Sequence, residues 1–352
     1  MPDIKDTRKR MPAEWEPQSF LQLTFPHPAS DWNYLLDEVS ECFVDIIQSA
    51  SRFQDVLVIC DSISRVKKYF NHTENIYFFE IESNDTWARD HGGITILENG
   101  NAIVHDYVFN GWGNKFEAGL DNQLTKEIFK NNILSNCKLT SFDFVFEGGS
   151  IESDGKGTIL TTSECLLSKN RNAQFSKQEI ENILKENLGA NRILWLNHGY
   201  LAGDDTDSHI DTLARFTDEN TIVYVGCNNP DDEHFEALNK MKSELDQFLN
   251  FEGNPYKLVE LPMPDACFDL EGNRLPATYA NFTILNNAVL VPVYGVQQDE
   301  TALAKLRECF PQKEIIAVNC RILVEQHGSL HCVTMQYPEQ VKLNKEIFKN
   351  NE

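Results

Sequence analysis

The chain has few basic residues for its length. It contains 352 residues, with 31 lysines and arginines against 54 aspartates and glutamates, which gives a formal net charge of −23. A surface this acidic repels nucleic acids and anionic membranes and attracts small cations, although solubility alone also explains it. We therefore expect no nucleic-acid partner, no membrane partner, and a substrate that is small and cationic.

Long apolar runs are also absent. No segment has the roughly 20 apolar residues that a membrane-spanning helix needs. Residues 1–15 include basic side chains but lack the apolar stretch of a secretory signal. The chain contains nine cysteines, an odd number, without a Cys-x-x-Cys pair. Together these features predict a reducing, cytoplasmic location.

Common motifs for metal ions and phosphate groups are missing. The sequence has no His-Glu-x-x-His, no close pair of thiols with zinc spacing, and neither of the glycine-rich phosphate-binding patterns. We therefore predict that the protein has no metal site and no phosphate-binding loop.

Short strands and single helices alternate along the whole chain. Runs such as Val56–Cys60 predict strands, and a capping box at Ser176 and Glu179 predicts the start of a helix. Strands come in groups of two or three before each helix, which argues against a simple parallel sheet. The pattern gives about five units of roughly 60 residues, without a visible repeat in sequence. We predict one α/β domain over residues 1–352.

Cys332 is the candidate nucleophile. It ends the segment Gly328–Cys332, where Gly328 is expected to adopt a backbone conformation that most residues avoid. A lone cysteine is more often a small buried apolar residue than a nucleophile. The interpretation therefore depends on polar clusters elsewhere in the chain.

Two of these clusters place acids at the ends of predicted strands. His209 and Asp211 would point to the same face of a strand, and Asp207 shares their parity. Glu147 precedes a Gly-Gly pair, which would let the backbone approach a ligand. A satisfied polar pair and an exposed turn are the structural alternatives for these clusters.

Two tryptophans accompany further aspartates. Trp87 stands between Asp85 and Asp90, and Trp112 lies between two glycines. An aromatic wall with carboxylates suits a bound cation, whereas a turn or core packing explains each feature by itself. We predict substrate-binding roles for Trp87, Trp112, Asp85 and Asp207.

The candidate catalytic set contains one thiol, one imidazole and three carboxylates, namely Cys332, His209, Glu147, Asp90 and Asp211. Carboxylates can hold a planar guanidinium through paired hydrogen bonds. A thiolate can then attack its central carbon while the histidine moves protons and water releases the product. A papain-like arrangement fits this residue order poorly. The set predicts a cysteine enzyme that hydrolyses guanidines.

The sequence resembles the agmatine deiminases, relatives of the bacterial peptidylarginine deiminases within the guanidine-modifying superfamily. The similarity runs over nearly the whole chain and rests on several motifs in a common order. These motifs are Met11–Pro17, Asn84–Asp90, Phe109–Gly113, Glu147–Glu152, Asn170–Asn172, Asp205–Asp211 and His331–Cys332.

This resemblance implies a pentein fold, an α/β-propeller of five ββαβ-like units around a pseudo-fivefold axis. It implies that Cys332 forms a covalent amidino-thioether while His209 acts as general acid and base. Asp90 and Asp211 would hold the guanidinium nitrogens, and Glu147 would orient the substrate and His209. Agmatine would yield ammonia and N-carbamoylputrescine, a step of polyamine biosynthesis toward putrescine, without a metal or organic cofactor.

Two segments depart from the family pattern. Residues 91–93 read His-Gly-Gly where Thr-Gly-Pro is common, and residues 333–338 replace the usual Ile-Thr-Gln-Gln. These changes concern substrate preference, so deimination of peptidyl-arginine is the main alternative. A non-catalytic cation-binding protein on the same fold is a second alternative, which the presence of both thiol and imidazole disfavours. A homo-oligomer is compatible with the composition.

One physical expectation follows from the acids alone. Carboxylates around Cys332 should raise the pKa of its thiol, and an arriving cation should lower that pKa again.

Overall fold

The computed structural model describes residues 9–351. Residues 1–8, part of the segment considered for a secretory signal, and residue 352 lie outside this range. Within it, seven β-sheets form, of which five have three or four strands and two are short two-stranded ribbons. No helix of the described chain is both long and apolar enough to cross a membrane.

The five larger sheets share one connectivity. In each, two strands pair antiparallel, and a helix then leads to a strand that pairs parallel with its neighbour. In hydrogen-bonded order the strands are Met335–Pro338, Gln18–Thr24, Asp55–Cys60 and Ile76–Glu80; Lys9–Arg10, Ile94–Glu98, Asn101–Val108 and Cys137–Val145; Ile151–Ser153, Thr158–Thr162 and Arg192–Leu196; Ala214–Asp218, Thr221–Val225 and Lys257–Leu261; Thr283–Ile284, Ala288–Val293 and Glu314–Asn319. The ribbons pair Leu134–Ser135 with Lys342–Leu343 and Cys267–Phe268 with Arg274–Leu275.

Each of the five sheets has one connecting helix of two or more turns. These helices are Leu36–Ser51, Leu124–Lys130, Lys177–Leu188, Phe235–Leu245 and Asp299–Cys309. Shorter α-helical turns are Ile63–Val66, Ala88–His91 and Ser163–Leu166, and Gly111–Asn114 is a turn with left-handed backbone. The 3-10 helices are Asp31–Leu35, Lys67–Tyr69, Asp121–Gln123, Gly148–Ser150, Ile210–Thr212, Leu323–Gln326 and Lys345–Asn351.

Local sequence explains how these helices begin, end and pack. The capping box at Ser176 and Glu179 is confirmed, and Gly189 ends the same helix in the left-handed conformation, with a φ of 69°. Helix Leu36–Ser51 packs an apolar stripe against the neighbouring strands. The buried residues of this stripe include Val39, Phe43, Ile46 and Ile47.

Polar side chains gather just before the first antiparallel strand of each sheet. The residues two to four positions ahead of Ile94, Ile151, Ala214, Thr283 and Met335 are Asp90, Glu147, Asp211, Asn281 and Cys332. Each of these five segments leads into a strand that pairs antiparallel with the next strand of its sheet. Side chains that lie far apart in sequence can therefore meet in one site.

Candidate active site

A cavity of about 380 Å³ contains the candidate nucleophile. Aromatic and acidic side chains form most of its wall beside Cys332, and no lysine or arginine of the described chain lines it. The aromatic residues are Trp87, Trp112 and Phe116, and the acidic residues are Asp31, Asp85, Asp90 and Asp205. This lining favours a small cationic ligand with an apolar portion.

Cys332 lies at the inner end of the acidic site. Its Sγ is 3.4 Å from Oδ1 of Asn281 and 3.8 Å from Oδ2 of Asp211, and the residue is 5% exposed. Burial, followed by the charges of Asp211 and Asp90, raises the pKa of the thiol well above its ordinary value. The expected direction is confirmed, but burial contributes more than the acids named from the sequence.

His209 is buried between two carboxylates. Its Nδ1 is 3.6 Å from Asp90 and its Nε2 is 4.0 Å from Glu147, and neither nitrogen has a hydrogen-bond partner among the described residues. Burial lowers the pKa of His209 to about 3, so the imidazole is neutral in the free protein. A neutral ring with both nitrogens unpaired can accept a proton when a ligand changes its surroundings.

The predicted strand through His209 and Asp211 is wrong. These residues flank the start of the 3-10 helix Ile210–Thr212, and the strand begins only at Ala214. Thr212 closes the turn, because its hydroxyl and its backbone N–H both donate to the carbonyl of His209, at 2.8 and 3.3 Å. The turn, and not strand parity, brings the two side chains to one site.

Gly149 explains how the site groups come so close together. A Cβ atom there would lie 2.6 Å from Nδ1 of His209, 2.8 Å from Oδ1 of Asp90 and 3.2 Å from Oδ2 of Asp211. Gly149 therefore lets the backbone come close to these three side chains. The predicted approach to a ligand stays a prediction.

The two aspartates of the site differ in their partners. Asp90 accepts hydrogen bonds from Nε1 of Trp112 and the backbone of Gly149, both at 2.9 Å, and burial raises its pKa well above the ordinary value. Asp211 accepts a 2.8 Å bond from His331, while its Oδ1 has no partner in the described chain. Burial opposes ionisation of Asp211, but the contact with His331 outweighs it and lowers the pKa.

A series of ion pairs fixes the position of Glu147. Arg171 donates to both of its carboxylate oxygens, at 2.8 and 3.0 Å, yet burial still raises the pKa of Glu147. Arg171 also bonds Asp207 at 2.5 Å, and Lys115 occupies the other oxygen of Asp207 at 2.7 Å. Asp207 is not among the residues that line the cavity, and neither are His209, Glu147 and Asp211. A direct contact of Asp207 with substrate stays a prediction.

The aromatic wall uses unusual backbone geometry. Trp112 has a φ of 54°, within the segment Gly111–Asn114 in which every φ is positive. A left-handed conformation costs a residue with a Cβ about 1–2 kcal/mol. Strain of this kind is typical of functional sites. It places the indole nitrogen of Trp112 on Asp90.

Trp87 depends on Gly328 for its position. A Cβ at residue 328 would lie 2.1 Å from the Trp87 ring, whereas the φ of this glycine is not in the left-handed region. The expectation of a special backbone conformation at Gly328 is therefore wrong, and the glycine is needed for space. Trp87 donates to Asp85 at 3.0 Å, and burial raises the pKa of Asp85 to about 7.

Asn281 belongs to the site and was missed in the sequence. Its Oδ1 accepts from the backbone of His331 at 2.8 Å and of Cys332 at 3.3 Å, in addition to the thiol contact. Its amide nitrogen donates to the carbonyl of Asp211 at 3.2 Å. No motif surrounds this residue. The one available signal is its position shortly before an antiparallel strand, as for Asp90, Glu147, Asp211 and Cys332.

A second group of buried charges lies behind Asp211. We call Glu14, Glu152, Arg215 and His331 the rear ionic cluster. His331 bridges Asp211 and Glu14 with 2.8 Å contacts on its two ring nitrogens. Arg215 bonds Glu14 at 2.7 Å and also pairs with Glu152.

Two groups of side chains have spacing that suits a metal ion. They are Glu147, Cys165 and His209, and Glu14, Glu152 and His331. In both groups an arginine already pairs with the carboxylates and would repel a metal cation. We therefore assign no metal to either group.

The family profile of the Porphyromonas-type peptidyl-arginine deiminases matches residues 10–338. The chain belongs to this family. A C. jejuni agmatine deiminase, solved as a cysteine-to-serine variant with substrate bound, is 42% identical to this chain, with a TM-score of 0.89. The alignment covers 94% of the present chain and 96% of the C. jejuni chain.

Two further relatives carry provisional names. A structure from Porphyromonas gingivalis, described as an arginine deiminase, is 49% identical, covers 95% of this chain and 100% of its own, and has a TM-score of 0.92. A Listeria monocytogenes protein named agmatine deiminase 1 is 31% identical over 94% of this chain and 96% of its own. The names of members of this deiminase family thus differ in substrate.

A more distant likeness concerns the fold alone. An amidinotransferase from Microseira wollei is 13% identical, covers 93% of this chain and 96% of its own, and has a TM-score of 0.52. The mixed α/β fold of this family member is therefore shared with an amidinotransferase.

Proposed function

We propose that the protein is an agmatine deiminase, which hydrolyses the guanidinium of agmatine to N-carbamoylputrescine and ammonia. The observation that carries this proposal is a buried thiol in a cavity that no lysine or arginine of the described chain lines. The thiol is 3.8 Å from Asp211, and Asp90, which shares the cavity, lies 3.6 Å from the neutral imidazole of His209. The named relatives from C. jejuni and Listeria monocytogenes support the same activity.

The charge of the cavity favours agmatine over free arginine. Agmatine carries a cation at each end, whereas arginine adds a carboxylate that the acidic wall would repel. Burial raises the pKa of Asp85 to about 7 and that of Asp205 to about 6, which shows how costly these carboxylates are without a cation. The ammonium of agmatine would offset that cost, and Trp87 and Trp112 would contact its methylene chain.

Asp90 and Asp211 would bind the guanidinium nitrogens. The arriving cation would lower the pKa of Asp90 and of the Cys332 thiol, because each gains an opposite charge in a buried place. The thiolate would then attack the guanidinium carbon to give a tetrahedral adduct. Loss of ammonia from this adduct leaves the amidino-thioether on Cys332.

His209 would move the protons in both half-reactions. Asp90 and Glu147 flank its two nitrogens, so an imidazolium formed during the reaction would be stabilised there. His209 would take the proton of the Cys332 thiol, pass this proton to the departing ammonia, and then take a proton from the attacking water. Collapse of the second tetrahedral adduct would release the ureido product and restore the thiol.

Residues that do not touch substrate would hold this arrangement. Asn281 fixes the loop of Cys332, His331 fixes one oxygen of Asp211, and Arg171 fixes Glu147. We assign these three as positioning residues. Asp207 supports Arg171 in the same way.

We also propose that the five larger sheets are the units of a pentein α/β-propeller around a pseudo-fivefold axis. Their shared connectivity and their equivalent polar segments support this arrangement. Residues 1–352 would form one domain. All nine cysteines are free, which is compatible with a reducing compartment such as the cytoplasm. Assembly into a homo-oligomer stays a prediction.

Ammonia release tests the proposed activity. Purified protein is given agmatine, free arginine and a blocked arginine peptide in parallel, with Cys332→Ala as control. Turnover of agmatine alone, absent in the control, is the expected result. Turnover of the peptide would favour the peptidylarginine deiminase, and calorimetric binding of agmatine without any turnover would favour the non-catalytic cation-binding protein.

A further inference from the structure

A second cavity, which opens to solvent, lies beside the segment that contains Met11 and Pro12. None of its lining residues lines the substrate cavity. Arg89 reaches this second cavity, although its neighbour Asp90 belongs to the substrate site. Adjacent residues of the helical turn Ala88–His91 therefore serve different cavities.

Arg89 is a buried cation without a counter-ion in the described part of the chain. It is 4% exposed, and the one side-chain hydrogen bond it makes there joins Nη1 to the sulfur of Met335 at 3.6 Å. Nε and Nη2 are buried and have no partner among the same residues. An arginine remains charged in proteins even where burial lowers its pKa, as it does here. These two nitrogens form one edge of the guanidinium, which presents two parallel N–H groups.

Two more unpaired polar atoms line the same cavity. They are the hydroxyl of Thr95 and Oε1 of Gln336, both buried and without a partner within the described chain. Buried polar atoms are rarely left unpaired in folded proteins. Of the two, only the Thr95 hydroxyl can donate to a ligand that Arg89 also binds, because Oε1 of Gln336 only accepts hydrogen bonds.

The carboxylates of this cavity do not satisfy Arg89, because other arginines already bind them. Glu16 pairs with Arg10 at 2.6 Å, Glu14 pairs with Arg215 at 2.7 Å, and Glu152 pairs with Arg215 as well. These three carboxylates share two arginines, and Arg89 is the third cation, attracted mainly to Glu14. Among the described residues no carboxylate bonds the Nε–Nη2 edge of Arg89, so this edge can still donate hydrogen bonds to a ligand.

We propose that this cavity binds a small carboxylate anion on the Nε–Nη2 edge of Arg89. The two N–H groups match the two oxygens of a carboxylate, and the Thr95 hydroxyl can donate a third hydrogen bond. The backbone N–H of Arg89 donates to the carbonyl of Cys332 at 3.1 Å, so the site adjoins the catalytic loop. This inference does not depend on the proposed function.

Carbon-13 formate is the probe for this site, and its binding is followed by NMR line broadening at constant ionic strength. We expect saturable binding to the wild-type protein and loss of that binding in Arg89→Met. Thr95→Val should weaken binding about three- to tenfold, the value of one hydrogen bond. Thr217→Val is the matched control, because the Thr217 hydroxyl is also buried and unpaired in the described chain but lies outside the cavity. The affinity of Thr217→Val for formate should equal that of the wild-type protein.

Several outcomes would overturn the proposal. They are binding that does not saturate, equal binding by the Thr95 and Thr217 variants, displacement of formate by agmatine, or equal competition by chloride. If Arg89→Met does not fold, the two threonine variants still decide the question. Formate binding needs no turnover, so its failure and failure of the deiminase assignment are separate results.

Discussion

The substrate site and the rear ionic cluster are both buried and acidic, but their carboxylates differ in their partners. In the cluster, Glu14 and Glu152 share the guanidinium of Arg215. In the site, Asp90 has only neutral donors and one oxygen of Asp211 has no partner within the described residues. The carboxylates of Asp90 and Asp211 can therefore bind a cation.

The pKa values of Glu14 and Asp90 shift in opposite directions, although the pKa of Glu152 in the cluster is raised and that of Asp211 in the site is lowered. Burial works against ionisation of Glu14, yet His331 and Arg215 outweigh it and lower the pKa of Glu14. Burial raises the pKa of Asp90, and the charge of Asp211 raises it further. Glu14 and Asp90 are thus buried to a similar extent but have pKa shifts of opposite sign, because only Glu14 has a cationic partner. A guanidinium substrate would supply that partner to Asp90.

Removing the thiol should separate function from stability most sharply. We expect Cys332→Ala to lower turnover on the order of 10⁴-fold or more, because no covalent intermediate can form. Its free energy of unfolding should change little, since only one sulfur atom is removed beside an existing cavity. Ammonia release and urea denaturation measure the two quantities. Cys137→Ala, at the start of the strand Cys137–Val145 and outside the cavity lining, is the control, and equal turnover in both variants would contradict the assignment of the nucleophile.

Breaking the rear ionic cluster should have the opposite signature. We expect Arg215→Met to lower the free energy of unfolding by about 3–5 kcal/mol, because it leaves two buried carboxylates without a counter-ion. The exposed pair between Arg52 and Glu314 provides the control, where Arg52→Met should cost about 0–1 kcal/mol. Equal losses in the two variants by urea denaturation would show that the cluster is not a stabilising centre.

Asp90→Asn should weaken substrate binding without harming the fold. In a Cys332→Ala background, we expect the Kd for agmatine to rise about 10–100-fold, since a charge-assisted contact is lost. The free energy of unfolding should stay level or increase, because a buried like charge beside Asp211 is removed. Glu14→Gln, in the rear cluster, should instead lose stability. Calorimetry measures the Kd for agmatine, and urea denaturation measures the free energy of unfolding of the two variants. A stability loss in Asp90→Asn as large as in Glu14→Gln would refute the difference between the site and the rear ionic cluster.

The smallest expected effect is a shift in the reactivity of Cys332 with pH. Because its pKa is raised, the thiolate fraction is small at neutral pH and increases only as the pH approaches that raised value. The alkylation rate of the free protein should therefore increase only at alkaline pH. Asp90→Asn should move this increase to lower pH, since one like charge is gone. Alkylation that already rises near pH 6 in the wild-type protein would disprove the raised pKa.

The sequence indicates which residues belong to the site better than it indicates their geometry. Cys332, His209 and Glu147 are brought together, but the strand expected at His209 is a 3-10 turn. That turn depends on Thr212, and its polar bonds compete with strand pairing over a few residues. A local pattern of alternating polar residues could not distinguish the two.

Asn281 shows a different limit. No charge, glycine or tryptophan marks its surroundings, so composition gives it no weight. Its importance comes from four contacts with Asp211, His331 and Cys332, up to 70 positions away along the chain. Only the pairing of strands brings those residues to it.

The sequence by itself determined the strand-and-helix alternation, the helix start at Ser176 and the chemical types available for a reaction. These depend on nearest neighbours and on backbone propensity, which a linear pattern records. The tertiary structure alone decided which carboxylates have a cationic partner and which do not. That outcome depends on distances of a few ångströms between side chains from five different sheets, and both desolvation and Coulomb energies change steeply over such distances.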